Sequence, residues 1–207
     1  MLEEAILAEK TKKCLMSFKT DSLPGGTYLG GGTAVALQIG HRRSVDVDFF
    51  TPSEFNETQW ESKLVSEFGL QVTQKDWQTL IGEIDKVKFS LMGYKYKLIE
   101  EPLDLYKIKV AALADLAAMK LEAVLTRGVK RDFIDIFFLG KRFGLVKMFE
   151  FYRQKYGDDV YENKYLLIRK ALMYFEEADT DEMPDMLVEV SWDTVKRDVG
   201  GWVKGLR

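Results

Sequence analysis

The sequence predicts an α+β chain in two parts. A small mixed or antiparallel sheet with its helices occupies residues 1–110, and a C-terminal helical bundle occupies residues 111–207. Three observations carry that expectation. Stretches with apolar residues alternating at period two are confined to the first half. Stretches rich in Ala, Leu and Met, with apolar residues at helical spacing, fill the second. Between Tyr28-Leu29 and a short helical stretch lies a glycine triplet, Gly30-Gly31-Gly32, of the kind that turns a strand into a helix.

Taken in order, residues 2–18 read as an amphipathic helix, and Tyr28-Leu29 as a short strand. Residues 33–39 read as a helix closed by Gly40 at its C-terminal cap. Residues 44–50 read as a strand with Ser44, Asp46 and Asp48 on one face and Val45, Val47 and Phe49 on the core side. Thr51-Pro52-Ser53-Glu54 has the pattern of a capping box with proline at the first helical position. The helix it opens would bury Phe55, Trp60, Leu64 and Phe68 and stop at Gly69. Residues 70–74 and 86–91 alternate as antiparallel strands do, with a turn expected at Met92-Gly93-Tyr94. Helices follow at 111–126, from about Arg131, at 145–156, at 161–177 and at 192–203, with a break at Met183-Pro184.

Composition bounds the function. With 46% hydrophobic and 30% charged residues the chain has enough apolar mass for a core. A net charge of −3 argues against a surface coated for non-specific nucleic-acid binding. The single cysteine, Cys14, excludes an internal disulfide and fits a reducing compartment. The Met-Leu-Glu-Glu start lacks the features of a secretion signal, and no apolar run reaches membrane-spanning length. These features predict a cytoplasmic chain with no membrane partner. His41 is the one histidine, which excludes histidine-based metal clusters and reads as a turn residue.

The chemistry concentrates in residues 29–50. Two carboxylates as close as Asp46 and Asp48 repel unless a cation or proton lies between them. Mg²⁺, or Mn²⁺, suits the pair, because it takes one or two protein carboxylates and completes its shell with phosphate oxygens and water. The alternative is a solvent-facing edge strand whose acids pair with Arg42 and Arg43. The glycine turn opens a helix whose unpaired N–H groups and partial positive charge suit an anion, and Thr33 adds a hydroxyl. The spacing is that of neither a P-loop nor a dinucleotide fingerprint. Further on, Lys120 and Arg127 are two helical turns apart and share a side. Asp132 falls in the first turn of the next helix, where an acid complements the dipole. Asp135 sits among Phe133, Ile134, Ile136, Phe137 and Phe138, so it needs a partner, Lys120 or Arg131. His41, Arg42, Arg43, Arg127, Lys130 and Arg131 form a basic rim if the two blocks meet, and surface ion pairs if they do not.

Gly31-Gly32-Thr33-Ala34 followed by His41-Arg42-Arg43-Ser44-Val45-Asp46-Val47-Asp48-Phe49-Phe50 resembles the DNA-polymerase-β-like nucleotidyltransferases. Within them it is most similar to the toxins of the AbiEii/AbiGii type. A second block, Asp115 to Lys120 and then Arg127-Gly128-Val129-Lys130-Arg131-Asp132 with Asp135, is similar to that family's lysine-bearing helix and its Arg-Asp-x-x-Asp segment. The resemblance spans about residues 28–139. It implies a Mg²⁺-dependent transfer of a nucleoside monophosphate from an NTP to an RNA (tRNA) or protein acceptor, by the toxin of a toxin–antitoxin or abortive-infection pair with an antitoxin protein as partner. It further implies that Gly31, Gly32 and Thr33 hold the triphosphate with Arg43 and Ser44 beside them. Asp46 and Asp48 would bind the metal, Lys120 would contact the nucleotide, and Asp135 would orient that lysine or assist the acceptor. The catalytic set is then Asp46, Asp48, Lys120 and Asp135. The chain departs from the superfamily in one place: where a third carboxylate is expected on a later strand, residues 86–92 offer Phe89 and Ser90, with Glu83 and Asp85 upstream. Two other readings stay open, a non-catalytic nucleotide-binding module of the same fold and a glycosyltransferase using the DxD. The latter needs a parallel sheet ahead of Asp46, where only one short strand fits.

Overall fold

The computed structural model describes residues 2–19 and 21–206. A 3-10 turn (Glu4–Ile6) precedes α1 (Glu9–Ser17), β1 (Tyr28–Leu29), α2 (Gly31–Ile39), β2 (Val47–Thr51) and α3 (Glu57–Phe68). Then come β3 (Gln71–Asp76), β4 (Thr79–Ile84), β5 (Val87–Gly93), β6 (Leu103–Leu105) and β7 (Ile108–Val110). The helices α4 (Leu113–Thr126), α5 (Lys130–Phe143), α6 (Leu145–Tyr156), α7 (Asp158–Ala171), α8 (Glu176–Thr180) and α9 (Trp192–Gly205) complete the chain. The strands make one sheet in the order β3-β4-β5-β2-β1-β7-β6. It is parallel between β2 and β5 and between β1 and β7, and antiparallel elsewhere. The mixed sheet followed by helices matches the α+β expectation.

Period-two alternation in β2 and β5 gives the sheet two unlike faces. Val47, Phe49, Phe89 and Leu91 are buried. On that side Phe18 stacks on Phe68 of α3 at 4.7 Å and meets Phe49 edge-on at 5.1 Å. Burying each such ring contributes roughly 1.5–3 kcal/mol, so α1 and α3 are held there by aromatic packing. The alternate residues of the same strands, Asp48, Phe50, Ser90 and Met92, occupy the other face. The helical layer centres on α4, whose Leu116, Ala117, Ala118 and Leu121 are buried and which packs against α2, α5, α6 and α7. Among the described residues, no helix is long and apolar enough to cross a membrane.

Several local expectations give way to tertiary contacts. The first helix is broken at Leu7 and Ala8, because Leu7 pairs with Ser44 in an isolated parallel bridge. The capping box does not form: Thr51 ends β2, and the next helix is capped by Asn56, whose side chain accepts from the Gln59 N–H at 2.9 Å. Phe55 therefore lies ahead of α3, though it is buried as expected, and Gly69 ends the helix with φ 67°. Met92 and Gly93 belong to β5 rather than to a turn. The chain reverses instead at Gln78 and at Asp85-Lys86, non-glycine residues with φ of 50°, 47° and 65°, so β4 carried no turn signal. The helix expected at 161–177 is α7 and α8, separated by a turn.

Candidate functional site

The glycine turn is shaped by what lies against it. The Gly30 N–H donates to the Asp48 carbonyl at 2.8 Å, which ties the turn to β2. Gly31 has φ +64°, and a Cβ there would lie 2.4 Å from Asp48 Oδ2. A Cβ on Gly32 would lie 2.3 Å from Arg42 Nη2. A side chain at either position would have to displace one of these groups, so the glycines let the α2 N-terminus lie directly against a carboxylate and a guanidinium. Its first-turn N–H groups have no intrahelical acceptor, and no side chain caps them. Thr33, expected to offer its hydroxyl to a phosphate, is fully buried. Its hydroxyl bonds the Ser44 hydroxyl at 2.8 Å and the Asp46 carbonyl, so it fastens the loop ahead of β2 onto α2.

That loop corrects the strand expected at 44–50. β2 begins only at Val47, and Val45, expected in the core, is 55% exposed. The backbone of residues 44–46 is held by partners outside the sheet ladder: Ser44 by Leu7, the Val45 carbonyl by the Thr11 hydroxyl at 3.2 Å, and the Asp46 carbonyl by Thr33. Asp46 Oδ2 lies 3.2 Å from Arg131 Nη1. Asp48 Oδ1 accepts from the Ser90 hydroxyl at 2.7 Å, across the β2–β5 pair in which the two residues are direct partners. Ser90 thus stands beside Asp48 where the resemblance implies a third acid. Phe89 is turned into the core. Glu83 is opposite Lys88 and Asp85 lies in the β4–β5 turn, so register removes both as substitutes.

The second block is a buried charge cluster. Lys120 Nζ donates to Asp132 Oδ1 at 2.7 Å and lies 2.6 Å from Asp135 Oδ2. Arg42 grips Asp135 with two bonds, Nε to Oδ1 at 2.7 Å and Nη2 to Oδ2 at 2.9 Å. His41 Nε2 bonds Asp135 Oδ1 at 2.8 Å, and Arg127 Nε donates to Asp132 Oδ2 at 3.0 Å. Burial pushes the Asp135 carboxyl up, but the charges of Lys120 and Arg42, with the bonds from His41 and Arg42, outweigh it and hold the group well below the usual carboxylate range. Of the two partners expected for Asp135, Lys120 is present, whereas Arg131 turns to Asp46. Asp132 is more than a dipole cap, being fully buried between two cations. His41 does lie in the bend after α2, as expected, and its ring is buried on Asp135.

Two adjoining hollows open here. A small one of about 20 Å³ is bordered by Gly32, Arg42, Ser44, Asp46, Asp48, Lys120, Arg127 and Arg131. The larger cleft, about 310 Å³, shares Asp48, Lys120 and Arg127 with it and adds Gly31, Phe50, Met92, Tyr94, Leu116 and Met119. The structure therefore brings Gly31, Gly32, Ser44, Asp46, Asp48 and Lys120 together, with Asp135 directly behind Lys120. Arg43 is not among them: its guanidinium pairs with Asp185 at 2.7 Å and its N–H donates to the Asp185 carbonyl. Sequence reasoning overlooked the apolar cleft wall. Its signal was present, since Asp48 and Phe50 share one face of β2, Ser90 and Met92 one face of β5, and Leu116, Met119, Lys120, Ala123 and Arg127 follow helical spacing.

Comparison with known proteins bears on the family and the fold. The family model described as "Nucleotidyl transferase AbiEii toxin, Type IV TA system" matches residues 92–201. That match starts after the DxD and takes in the last third of the chain, beyond the reach of the motif resemblance. An uncharacterized protein of Aquifex aeolicus (strain VF5) is 36% identical over 179 residues, covering 82% of each chain. Among solved structures, JHP933 from Helicobacter pylori aligns over 99% of this chain and 92% of its own, with TM-score 0.54 and 14% identity. MenT4, a nucleotidyltransferase toxin from Mycobacterium tuberculosis H37Rv, aligns over 87% and 76%, with TM-score 0.52 and 18% identity. At those identities the structural likeness speaks to the fold.

Proposed function

The chain belongs to the AbiEii nucleotidyltransferase toxin family, and from that premise we propose that it transfers a nucleoside monophosphate from an NTP to an RNA or protein acceptor at the hollow between α2, β2 and α4. The observation that carries this reading is the packing of the glycine turn against Asp48 on one wall, with Lys120 and Arg127 on the other. A triphosphate needs such a place: N–H donors and cations for its oxygens, and hard oxygen ligands for its metal.

The donor set fits Mg²⁺ or Mn²⁺. Among the described residues Asp46 Oδ1 and Asp48 Oδ2 accept no hydrogen bond, and no group of three or more His, Cys, Asp or Glu side chains is arranged to enclose a metal. Two carboxylates are what an ion shared with phosphate oxygens and water requires. Asp46 and Asp48 would hold it, and when bound it would neutralise charge on the phosphates and the departing pyrophosphate. The rest falls to the chain. First-turn N–H groups of Gly31 and Gly32 bind phosphate oxygens, and Lys120 and Arg127 offset the negative charge that develops during transfer. Asp132 and Asp135 fix the lysine, and Arg42 and His41 fix Asp135 in turn. Phe50, Met92, Tyr94, Leu116 and Met119 receive the nucleoside. The family's type IV toxin–antitoxin designation supports an antitoxin counterpart, and the lone buried Cys14 supports a cytoplasmic setting.

The test incubates the protein with each α-labelled NTP, Mg²⁺ and total tRNA, beside the double variant D46N/D48N. Label transfer by the wild type and its loss in the variant is the expected result. Nucleotide binding without pyrophosphate release would show a non-catalytic module.

A further inference from the structure

We propose that Glu122 selects the nucleotide, accepting a hydrogen bond from a base that carries an exocyclic amino group and turning away uracil. This deepens the preceding reading and rests on it.

The first observation is the order of side chains around α4. A helix turns by about 100° per residue. Lys120 and Arg127 therefore fall at one margin of the face toward the cleft, Leu116, Ala123 and Met119 across its middle, and Glu122 at the opposite margin. All of them line the cleft. The cations and Glu122 thus bound it from opposite ends with apolar surface between. That is the sequence of needs along a nucleotide: charge for the phosphates, apolar walls for the ring, a polar group for its far edge.

The second observation comes from the facing wall. Asp48 and Ser90 are direct partners across β2 and β5. Tyr94 follows Ser90 by four residues, roughly 13 Å of extended chain, and it too lines the cleft. The Tyr94 hydroxyl is bonded to that of Tyr156, whose ring lies 4.5 Å from the ring of Tyr152. The Tyr152 hydroxyl in turn donates to Glu122 Oε2 at 2.6 Å. Strand wall and helix wall agree: Glu122 stands at the end away from the acid pair.

The third observation is how Glu122 is held. Its side chain is 27% exposed; Oε2 takes the Tyr152 bond and Oε1 the Lys164 ammonium. Neither donor lines the cleft, so both grip the carboxylate from outside it. Burial, with the bond to Glu122, pushes the fully buried Tyr152 hydroxyl well above its ordinary value, so it stays a donor. Each carboxylate oxygen has two lone pairs, which leaves one on each for a ligand. An acceptor fixed in this way loses little freedom when a ligand meets it.

A lone acceptor at the far end of an apolar slot sorts bases by what their edges donate. Cytosine presents an amino group at ring position 4, where uracil presents a carbonyl oxygen. The carboxylate bonds the first. The second sets acceptor against acceptor and leaves both unsatisfied in a part-buried place. The N3–H of uracil offers no way out, because it lies between two carbonyl oxygens that a carboxylate repels. Adenine and guanine carry amino groups and are admitted.

Titration calorimetry with the non-hydrolysable α,β-methylene analogues of CTP and UTP, in Mg²⁺, tests this in wild type, E122Q and Y152F. The readout is the ratio of the two affinities within one protein, which does not depend on how much of a variant is folded. Wild type is expected to favour the cytosine analogue about tenfold or more. E122Q, whose amide can donate to a carbonyl as well as accept, should bring the ratio near one. Y152F, which leaves the carboxylate free to turn, should fall between. An equal ratio in wild type and E122Q, with only a lowered Tm, would make Glu122 a structural partner of Lys164 and overturn the proposal. Wild type that binds both analogues equally would overturn it too, while leaving the nucleotide cleft in place. No binding of either analogue by wild type would remove the cleft and the proposal together.

Discussion

Two aspartate pairs meet at the α4–α5 end of the sheet, and the protein treats them oppositely. Asp132 and Asp135 are fully buried and surrounded by Lys120, Arg42, Arg127 and His41, so their oxygens are met by the chain's own donors. Asp46 and Asp48 are only half-buried; each has one oxygen engaged, by Arg131 and Ser90 respectively, and one without a protein partner. Buried carboxylates left unmatched would cost several kcal/mol, so the first pair must be complete for the chain to fold. The second pair is incomplete in a way a folded protein tolerates only near solvent, and that incompleteness suits a cation from outside. The same residue type is thus closed off by the chain's own donors in one place and, in the proposed reading, left open to a metal in the other.

The contrast can be broken from either side. The largest effect should come from D46N/D48N: nucleotidyl transfer falls by about 10²- to 10³-fold or more, while Tm stays within about 2–4 °C of wild type. A variant that melts much lower would put the acid pair with the structural one. Next, D135N should cost about 3–5 kcal/mol in a urea titration, because it leaves Arg42 and Lys120 short of a buried counter-charge.

The pH dependence sharpens the same point. The Asp135 carboxyl is held below its ordinary range in the fold. Its contribution is therefore complete above the unfolded value near pH 4 and fades as pH falls through that value toward the folded one. Thermal melts from neutral to acid pH should show the gap between wild type and D135N closing as acid is added, and a constant gap would contradict the assignment. The smallest effect belongs to S90A, which removes one bond to Asp48 and should lower stability by about 0.5–1.5 kcal/mol with a modest change in rate.

The sequence made much of this visible. Local chemistry is written in short spans, so Gly31-Gly32, the DxD and the Lys120–Asp135 block were readable, as were α6 and α9, whose apolar spacing runs uninterrupted. Three features were hidden because they depend on distant partners. Nothing near Val45 announces that Thr11 and Thr33 pull residues 44–46 out of the ladder. β4 is flanked by turns made from Gln78, Asp85 and Lys86 rather than glycine. Arg43 looked like part of the nucleotide rim, yet Asp185, far along the chain, takes it. The sequence offers Phe89 and Ser90 alike at the missing acid's position, and only the β2–β5 register shows that Ser90 is the one beside Asp48.

The most direct measurement of the central claim is Mn²⁺ binding, followed by electron paramagnetic resonance in the presence of a non-hydrolysable NTP. Wild type should bind metal and nucleotide together, each raising the other's affinity, and D46N/D48N should lose the metal while remaining folded. Equal Mn²⁺ binding by the two proteins, with or without nucleotide, would contradict the account.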